Sequence, residues 1–254
     1  MIDFRSDTIT RPSMALRKKM VNTETGDVVF YDDPTVNELQ TAVAELFGKE
    51  AGMFVPSGTM GNLLGCMAHC REKGSAAIIG DMTHINCDER GNLANLGGIM
   101  PITLRNQPDG TIDLDEMEFF IKEKDPHNPV CRLIALESSH QYSSGRVLST
   151  KYFKKVKKIA RKNKLKMHLD GARALNAAAS LGISPAEMTK DFDTVSVCMS
   201  KGLGAPIGTV LVGSAKDIQF SAVTKKLLGG NLRQAGIIAR AALENLKTWE
   251  QDLS

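Results

Sequence analysis

Six short apolar or β-branched runs recur along this chain, and the segments between them carry the period of helices. The runs are Ala76–Ile79, Ile99–Leu104, Leu133–Leu136, Lys166–Leu169, Thr194–Cys198 and Gly208–Val212. Two of the other segments announce a helix start. Asp33 fits an N-cap, Pro34 the first helical position, and Val36, Leu39, Val43, Leu46 and Phe47 then share one face. Asp113 opens another, with Glu116 placed to close a capping box ahead of Met117, Phe120 and Ile121. Strands alternating with helices build an α/β layer fold, with a largely parallel sheet covered on both faces. At 254 residues the chain suffices for one large core, or a core plus a fragment of a second domain. The reading treats residues 1–254 as one unit.

The 32 basic and 29 acidic residues nearly cancel, so no polyanionic partner is implied. The most basic stretch, Lys151 to Lys166, also carries Phe153, Val156, Ile159 and Ala160 at helical spacing. That pattern reads as the solvated outer face of a sheet-packing helix, without nucleic acid. No apolar stretch is long enough to cross a bilayer. The N-terminus lacks the basic-then-apolar pattern of a secretory leader. Cys66, Cys70, Cys87, Cys131 and Cys198 are odd in number and match neither a zinc site nor a Cys-x-x-Cys pair. No metal ligand is assigned, and the expectation is free thiols in a reducing, cytoplasmic setting.

Chemistry-bearing residues cluster where the runs end. Lys201 follows Thr194–Cys198 in the Gly-rich turn Ser200-Lys-Gly-Leu-Gly-Ala-Pro206, and Asp170 and Arg173 follow Lys166–Leu169. A lysine amine forms a Schiff base with an aldehyde cofactor, and a carboxylate pairs with a pyridinium nitrogen. Asp170 and Lys201 together suggest pyridoxal 5'-phosphate. Ser57, Gly58 and Thr59 precede a helical pattern through Leu63, Leu64 and Met67, where free N–H groups attract phosphate, although many helix starts read this way merely as caps. His84 and His140 each lie just beyond a candidate strand, where ligands of open α/β sheets bind. Each reads equally as an ordinary loop histidine. His168, two residues before Asp170, reads as a core residue or a support for the site.

Taken in order, several motifs resemble the threonine aldolase and β-eliminating lyase family, specifically the low-specificity L-threonine aldolases. They are Arg5-Ser-Asp-Thr-Ile-Thr-Arg-Pro12, Asp32-Asp-Pro-Thr-Val-Asn37, Val55-Pro-Ser-Gly-Thr-Met-Gly-Asn62, Asn106-Gln-Pro-Asp-Gly-Thr111, His168-Leu-Asp-Gly-Ala-Arg173, Ser200–Pro206 and Leu228-Gly-Gly-Asn-Leu-Arg-Gln234. The resemblance implies a fold-type-I, aminotransferase-like large domain bound to pyridoxal 5'-phosphate. It implies that Lys201 carries the cofactor, Asp170 keeps the pyridine nitrogen protonated and His84 stacks on the ring. Ser57, Gly58 and Thr59 would hold the phosphate, with Lys226 and Arg233 nearby, across a subunit boundary. Ser6 and Arg173 would hold the substrate carboxylate, Arg173 as a bidentate fork. His140 or His84 would take the β-hydroxyl proton. The implied reaction is retro-aldol cleavage of L-threonine or L-allo-threonine to glycine and acetaldehyde by a homodimer or homotetramer with shared sites.

Three departures from the family pattern stand out. Phe30, in Gly26-Asp-Val-Val-Phe-Tyr31, replaces a tyrosine that approaches the substrate site in relatives. Glu137-Ser-Ser-His-Gln141 keeps the family's histidine among changed neighbours. Relatives also continue past the position of Ser254 into a smaller C-terminal domain that supplies a further arginine, so the reading expects a chain lacking most of that domain. Two alternatives follow: β-elimination or racemisation of another small amino acid, or a weak paralogue that binds cofactor or dimerises.

Overall fold

A computed structural model describes residues 3–122 and 125–253. Seven strands form one sheet: β1 (Ala51–Val55), β2 (Ser75–Gly80), β3 (Met100–Leu104), β4 (Val130–Glu137), β5 (Lys166–Gly171), β6 (Thr194–Cys198) and β7 (Thr209–Gly213). Their order is β1-β7-β6-β5-β4-β2-β3. β7 runs antiparallel to both neighbours, and the rest of the ladder is parallel. The expected α/β fold with a mostly parallel sheet is therefore present.

Among the described residues twelve α-helices complete the fold. The first six are α1 (Met14–Val21), α2 (Pro34–Leu46), α3 (Gly58–His69), α4 (His84–Cys87), α5 (Asn92–Asn95) and α6 (Leu114–Phe120). The others are α7 (Thr150–Lys162), α8 (Ala174–Leu181), α9 (Pro185–Thr189), α10 (Ala215–Leu227), α11 (Gly236–Leu246) and α12 (Trp249–Leu253). Both N-caps form, but among the described residues no bond from Asp113 N to the Glu116 carboxylate closes the expected capping box. Asp33 Oδ1 accepts from Val36 N at 3.0 Å, and Asp113 Oδ1 accepts from the N–H groups of Asp115 and Glu116. α7 buries Tyr152, Phe153, Val156 and Ala160, while Lys157 and Lys166 both reach Asp193.

Strand alternation distributes the core between two faces. Phe54, Met167, Leu169, Val195, Val197, Val210 and Val212 point to one face, where they meet α2, α7, α8 and α11. Each fully buried aliphatic or aromatic side chain of this kind contributes about 1.5–3 kcal/mol. Met53, Val55, Leu211, Ala77, Ile79, Leu133 and Ala135 point to the other face, under α3 and its neighbours. β1 is a strand absent from the six runs expected from the sequence.

Candidate active site

The carboxyl ends of β4, β5 and β6 lie beside α3, and His140, Asp170, Arg173 and Lys201 end or follow those strands. Lys201 sits half-buried in the turn between β6 and β7. That turn is held by Gly204 N and Thr10 Oγ1, which donate to Lys201 O at 2.8 and 2.9 Å. Gly204 and Gly208 take φ of 67° and 110°, and a Cβ on Gly208 would lie 2.3 Å from the Phe54 ring, so both positions require glycine. The Lys201 amine has no side-chain hydrogen bond among the described residues, while its charge bears on both Asp7 and His84.

Asp170 ends β5 beside Glu137 of β4, its partner in register, and is 2% exposed. Its Oδ1 accepts from Ala172 N at 3.1 Å and its Oδ2 from Asn62 Nδ2 at 2.9 Å. Asn62 Nδ2 donates also to Glu89 Oε1 at 2.8 Å, and His84 Nδ1 lies 2.9 Å from that same oxygen. His84, Glu89 and Asp170 bring ligand-type atoms within 4.8 Å of one another, but the Asn62 amide stands between the two carboxylates and donates to both. An N–H bridge thus occupies the position a cation would take.

These groups set one another's charge. The hydrogen bond to Glu89 raises His84 above the usual histidine value, against partial burial. Burial raises Glu89, and His84 partly offsets it. Burial and the Asp170 charge push Glu137 up to about 7, although its carboxylate accepts from His84 N at 2.7 Å and Gln141 N at 2.8 Å.

Arg173 N-caps α8 and turns its guanidinium onto Asp7 rather than into open space. Ser6, expected on the substrate carboxylate, accepts from Thr8 N and Thr8 Oγ1 at 3.2 and 2.9 Å. Ser57 Oγ caps α3 through Met60 N at 3.2 Å, leaving the Gly58 and Thr59 N–H groups free at the helix start. Thr209 Oγ1 lies 3.8 Å from where a Gly58 Cβ would sit, and it is buried with no partner among the described residues. A phosphate at this helix start would meet free N–H donors and an orphaned hydroxyl, so the residues present fit the expected cofactor. Ser57 and Thr59 also line a cavity of about 490 Å³ with Leu63, Glu89, Leu96 and Leu228.

His140 is fully buried, and neither ring nitrogen has a partner among the described residues. Burial lowers its basicity. Lys226 is exposed, and Arg233 is bound to Asp27 Oδ2 at 3.0 Å, so within one chain neither joins the Lys201 cluster. The sequence reading missed Asp7, Asn62, Glu89 and Glu137. Only Glu137, at a strand's carboxyl end, carried a positional signal.

Over 99% of its length the chain is 46% identical to low-specificity L-threonine aldolase 1 of Arabidopsis thaliana, spanning 72% of that protein. Over 97% of its length it is 42% identical to the low specificity L-threonine aldolase of Escherichia coli strain K12, spanning 73% of it. The solved structure of Leishmania major threonine aldolase superposes with a TM-score of 0.82 over 98% of this chain and 72% of that one, at 17% identity, a likeness of fold. The beta-eliminating lyase profile matches residues 3–254, and the chain belongs to the beta-eliminating lyase family.

Proposed function

We propose that this chain is a pyridoxal-phosphate-dependent lyase that cleaves L-threonine and L-allo-threonine to glycine and acetaldehyde. The observation that carries the reading is the placement of Lys201, Asp170 and Arg173 at the carboxyl ends of the interior strands β5 and β6, beside α3 and its free start. Lys201 would carry the cofactor through its amine, Asp170 would pair with the pyridine nitrogen, and His84 would stack on the ring. The Gly58 and Thr59 N–H groups, Ser57 and Thr209 would hold the phosphate. Bound there, the cofactor supplies an electron sink for the pair left on Cα when a bond to it breaks.

The chain's own residues direct which bond breaks. Arg173, with Ser6 beside it, holds the substrate carboxylate and so orients the Cα–Cβ bond. His140, kept neutral by burial, accepts the β-hydroxyl proton at a ring nitrogen, acetaldehyde departs, and proton return to Cα gives glycine. His84 is already engaged with Glu89 through Nδ1, so His140 is the better placed of the two for that proton.

The assembly is read as a homodimer or homotetramer with shared sites, in which Lys226 and Arg233 serve a neighbouring subunit's phosphate. Its support is that Lys226 has no side-chain partner among the described residues and that Val223 and Leu227 beside it are exposed. All five cysteines are free, which supports a reducing, cytoplasmic setting. Among the described residues no helix is long and apolar enough to cross a membrane.

The test supplies pyridoxal phosphate and each threonine diastereomer, then measures glycine and acetaldehyde. Keto acid and ammonia from threonine or serine would favour β-elimination instead, and cofactor binding without any product would reduce the chain to a binding partner.

A further inference from the structure

The sheet face under α3 is apolar at its flanks and polar at its centre. Met53, Val55 and Leu211 lie on one flank, and Ala77, Ile79, Leu133 and Ala135 on the other. Between them β5 and β6 place His168, Asp170, Thr194 and Ser196 on that face, each buried. Buried polar groups are costly unless every donor and acceptor is matched. Here the matching forms a chain. His69 Nε2 lies 3.0 Å from Thr194 Oγ1, and Thr194 Oγ1 lies 2.9 Å from His168 Nδ1. His168 Nε2 lies 3.2 Å from Asn62 Oδ1, and Asn62 Nδ2 reaches Asp170 Oδ2.

The direction of every donor follows from the carboxylate end. Carboxylate oxygens accept, so the Asn62 amide nitrogen faces Asp170 and Glu89, and Oδ1 faces the histidine. Oδ1 carries no proton, so His168 Nε2 donates and His168 Nδ1 accepts from the Thr194 hydroxyl. That hydroxyl in turn accepts from His69 Nε2. Burial takes His168 down to about 3 and His69 to about 4, so both rings stay neutral, as a one-way chain requires. The packing makes room for it: a Cβ on Gly65 would lie 2.5 Å from His168 Cε1.

We propose that His168 is a positioning residue for Asp170, acting through Asn62. Its Nε2–H fixes the Asn62 amide so that the amide's own N–H holds Asp170 Oδ2 in one orientation at the cofactor site. Without the ring, Asn62 Oδ1 loses its partner, and the amide is held only through its bonds to Glu89 and Asp170, which loosens its grip on Asp170 Oδ2. The proposal rests on the pyridoxal-phosphate reading above.

The experiment has a part that needs no cofactor. Nitrogen-15 NMR of histidine-labelled, cofactor-free protein is expected to show a neutral His168 in the Nε2–H tautomer; an Nδ1–H tautomer would overturn the chain. His168→Phe and His168→Gln are then compared with the parent for folding, pyridoxal-phosphate dissociation constant and the pH titration of the cofactor's absorbance. His168→Phe is expected to bind about ten-fold more weakly, with a displaced titration. His168→Gln keeps a donor toward Asn62 and is expected within about three-fold of the parent. A phenylalanine variant that matched the parent in both readouts would leave His168 a core side chain and overturn the proposal. Should that variant not fold, Thr194→Val takes its place, removing the hydroxyl that assigns the tautomer while preserving volume. A displaced titration then supports the proposal and an unmoved one overturns it. A parent that bound no cofactor would overturn both readings, and the NMR result would separate a wrong hydrogen-bond chain from a wrong cofactor.

Discussion

Arg173 closes on Asp7 through two hydrogen bonds, Nε to Oδ2 at 2.7 Å and Nη2 to Oδ1 at 2.9 Å. The fork proposed for the substrate carboxylate therefore already grips a carboxylate of the same chain. Burial works to raise the Asp7 carboxyl, but the Arg173 guanidinium and the Lys201 charge outweigh it and hold the group below its usual value. The segment around Asp7 is tied to the site a second time, where Thr10 Oγ1 donates to the Lys201 carbonyl.

Asp7 then competes with substrate for the fork, and Asp7→Asn should relieve the competition. A partly exposed ion pair of this kind is worth about 0.2–1 kcal/mol, so KM for threonine should fall by a factor of roughly 1.4 to 5 with kcat little changed. Steady-state acetaldehyde release measures both constants. A rise in KM would mean that Asp7 orients the arginine instead of blocking it.

Glu137 predicts a pH dependence in the cofactor-free protein. Its carboxyl is raised to about 7 in the fold from an ordinary 4.5, so between those values the folded state holds the extra proton. Its contribution to stability is complete below about 4.5 and is lost as pH rises through about 7, a loss on the order of a few kcal/mol. Thermal melts from pH 5 to 8 should show the decline in the parent and a flatter profile in Glu137→Gln. Equal slopes would assign the dependence to other groups.

The cofactor roles separate cleanly by substitution. Borohydride treatment of the cofactor-loaded protein should leave a pyridoxyl group on Lys201, located by peptide mass spectrometry, and none on Lys201→Ala. An adduct at Lys49 or Lys226 would move the site.

Asp170→Asn should retain the fold yet slow turnover by about 100-fold or more, since it removes the preorganised charge proposed to pair with the ring nitrogen. Turnover within a few-fold of the parent would free Asp170 of that role.

How much of this was legible in the sequence depended on whether a residue's task was local. Thr194–Cys198 was bounded correctly because alternation and β-branching are properties of adjacent residues, and Asp33 announced α2 because a cap bonds three residues on. β1 escaped because Ala51 and Gly52 break the apolar run, and Gly52 is small for a non-local reason: a Cβ there would meet Gln40 O at 2.6 Å. Lys201 and Asp170 could be read from their residue types at strand ends. Asn62, Glu89 and Glu137 come from three separate segments and acquire meaning only once the strand order sets them around Asp170. Asp7 was passed over for its neighbour Ser6, since which of two adjacent polar residues meets Arg173 is decided by the path of the N-terminal segment.

Gly61 gives a last prediction, in which two opposed effects can be ranked. Alanine in a helix interior is favoured over glycine by about 1 kcal/mol, which argues for a gain in α3. Against it, a Cβ on Gly61 would lie 2.5 Å from Ser196 Oγ and 3.1 Å from Thr209 Cγ2. Serine is too short to swing clear, and overpacking a tight helix–sheet contact costs about 1–3 kcal/mol. Gly61→Ala should therefore lower the melting temperature by several degrees, at about 2–4 °C per kcal/mol for a chain of this size. Removing the obstructing oxygen lifts the severe clash and leaves Thr209 Cγ2 at 3.1 Å and Ser196 Cβ at 3.4 Å, contacts that ask for a shift of a few tenths of an ångström at most. The double variant with Ser196→Ala should thus recover most of the loss, a strongly non-additive pair. Purely additive melting temperatures would show that α3 yields at some other contact.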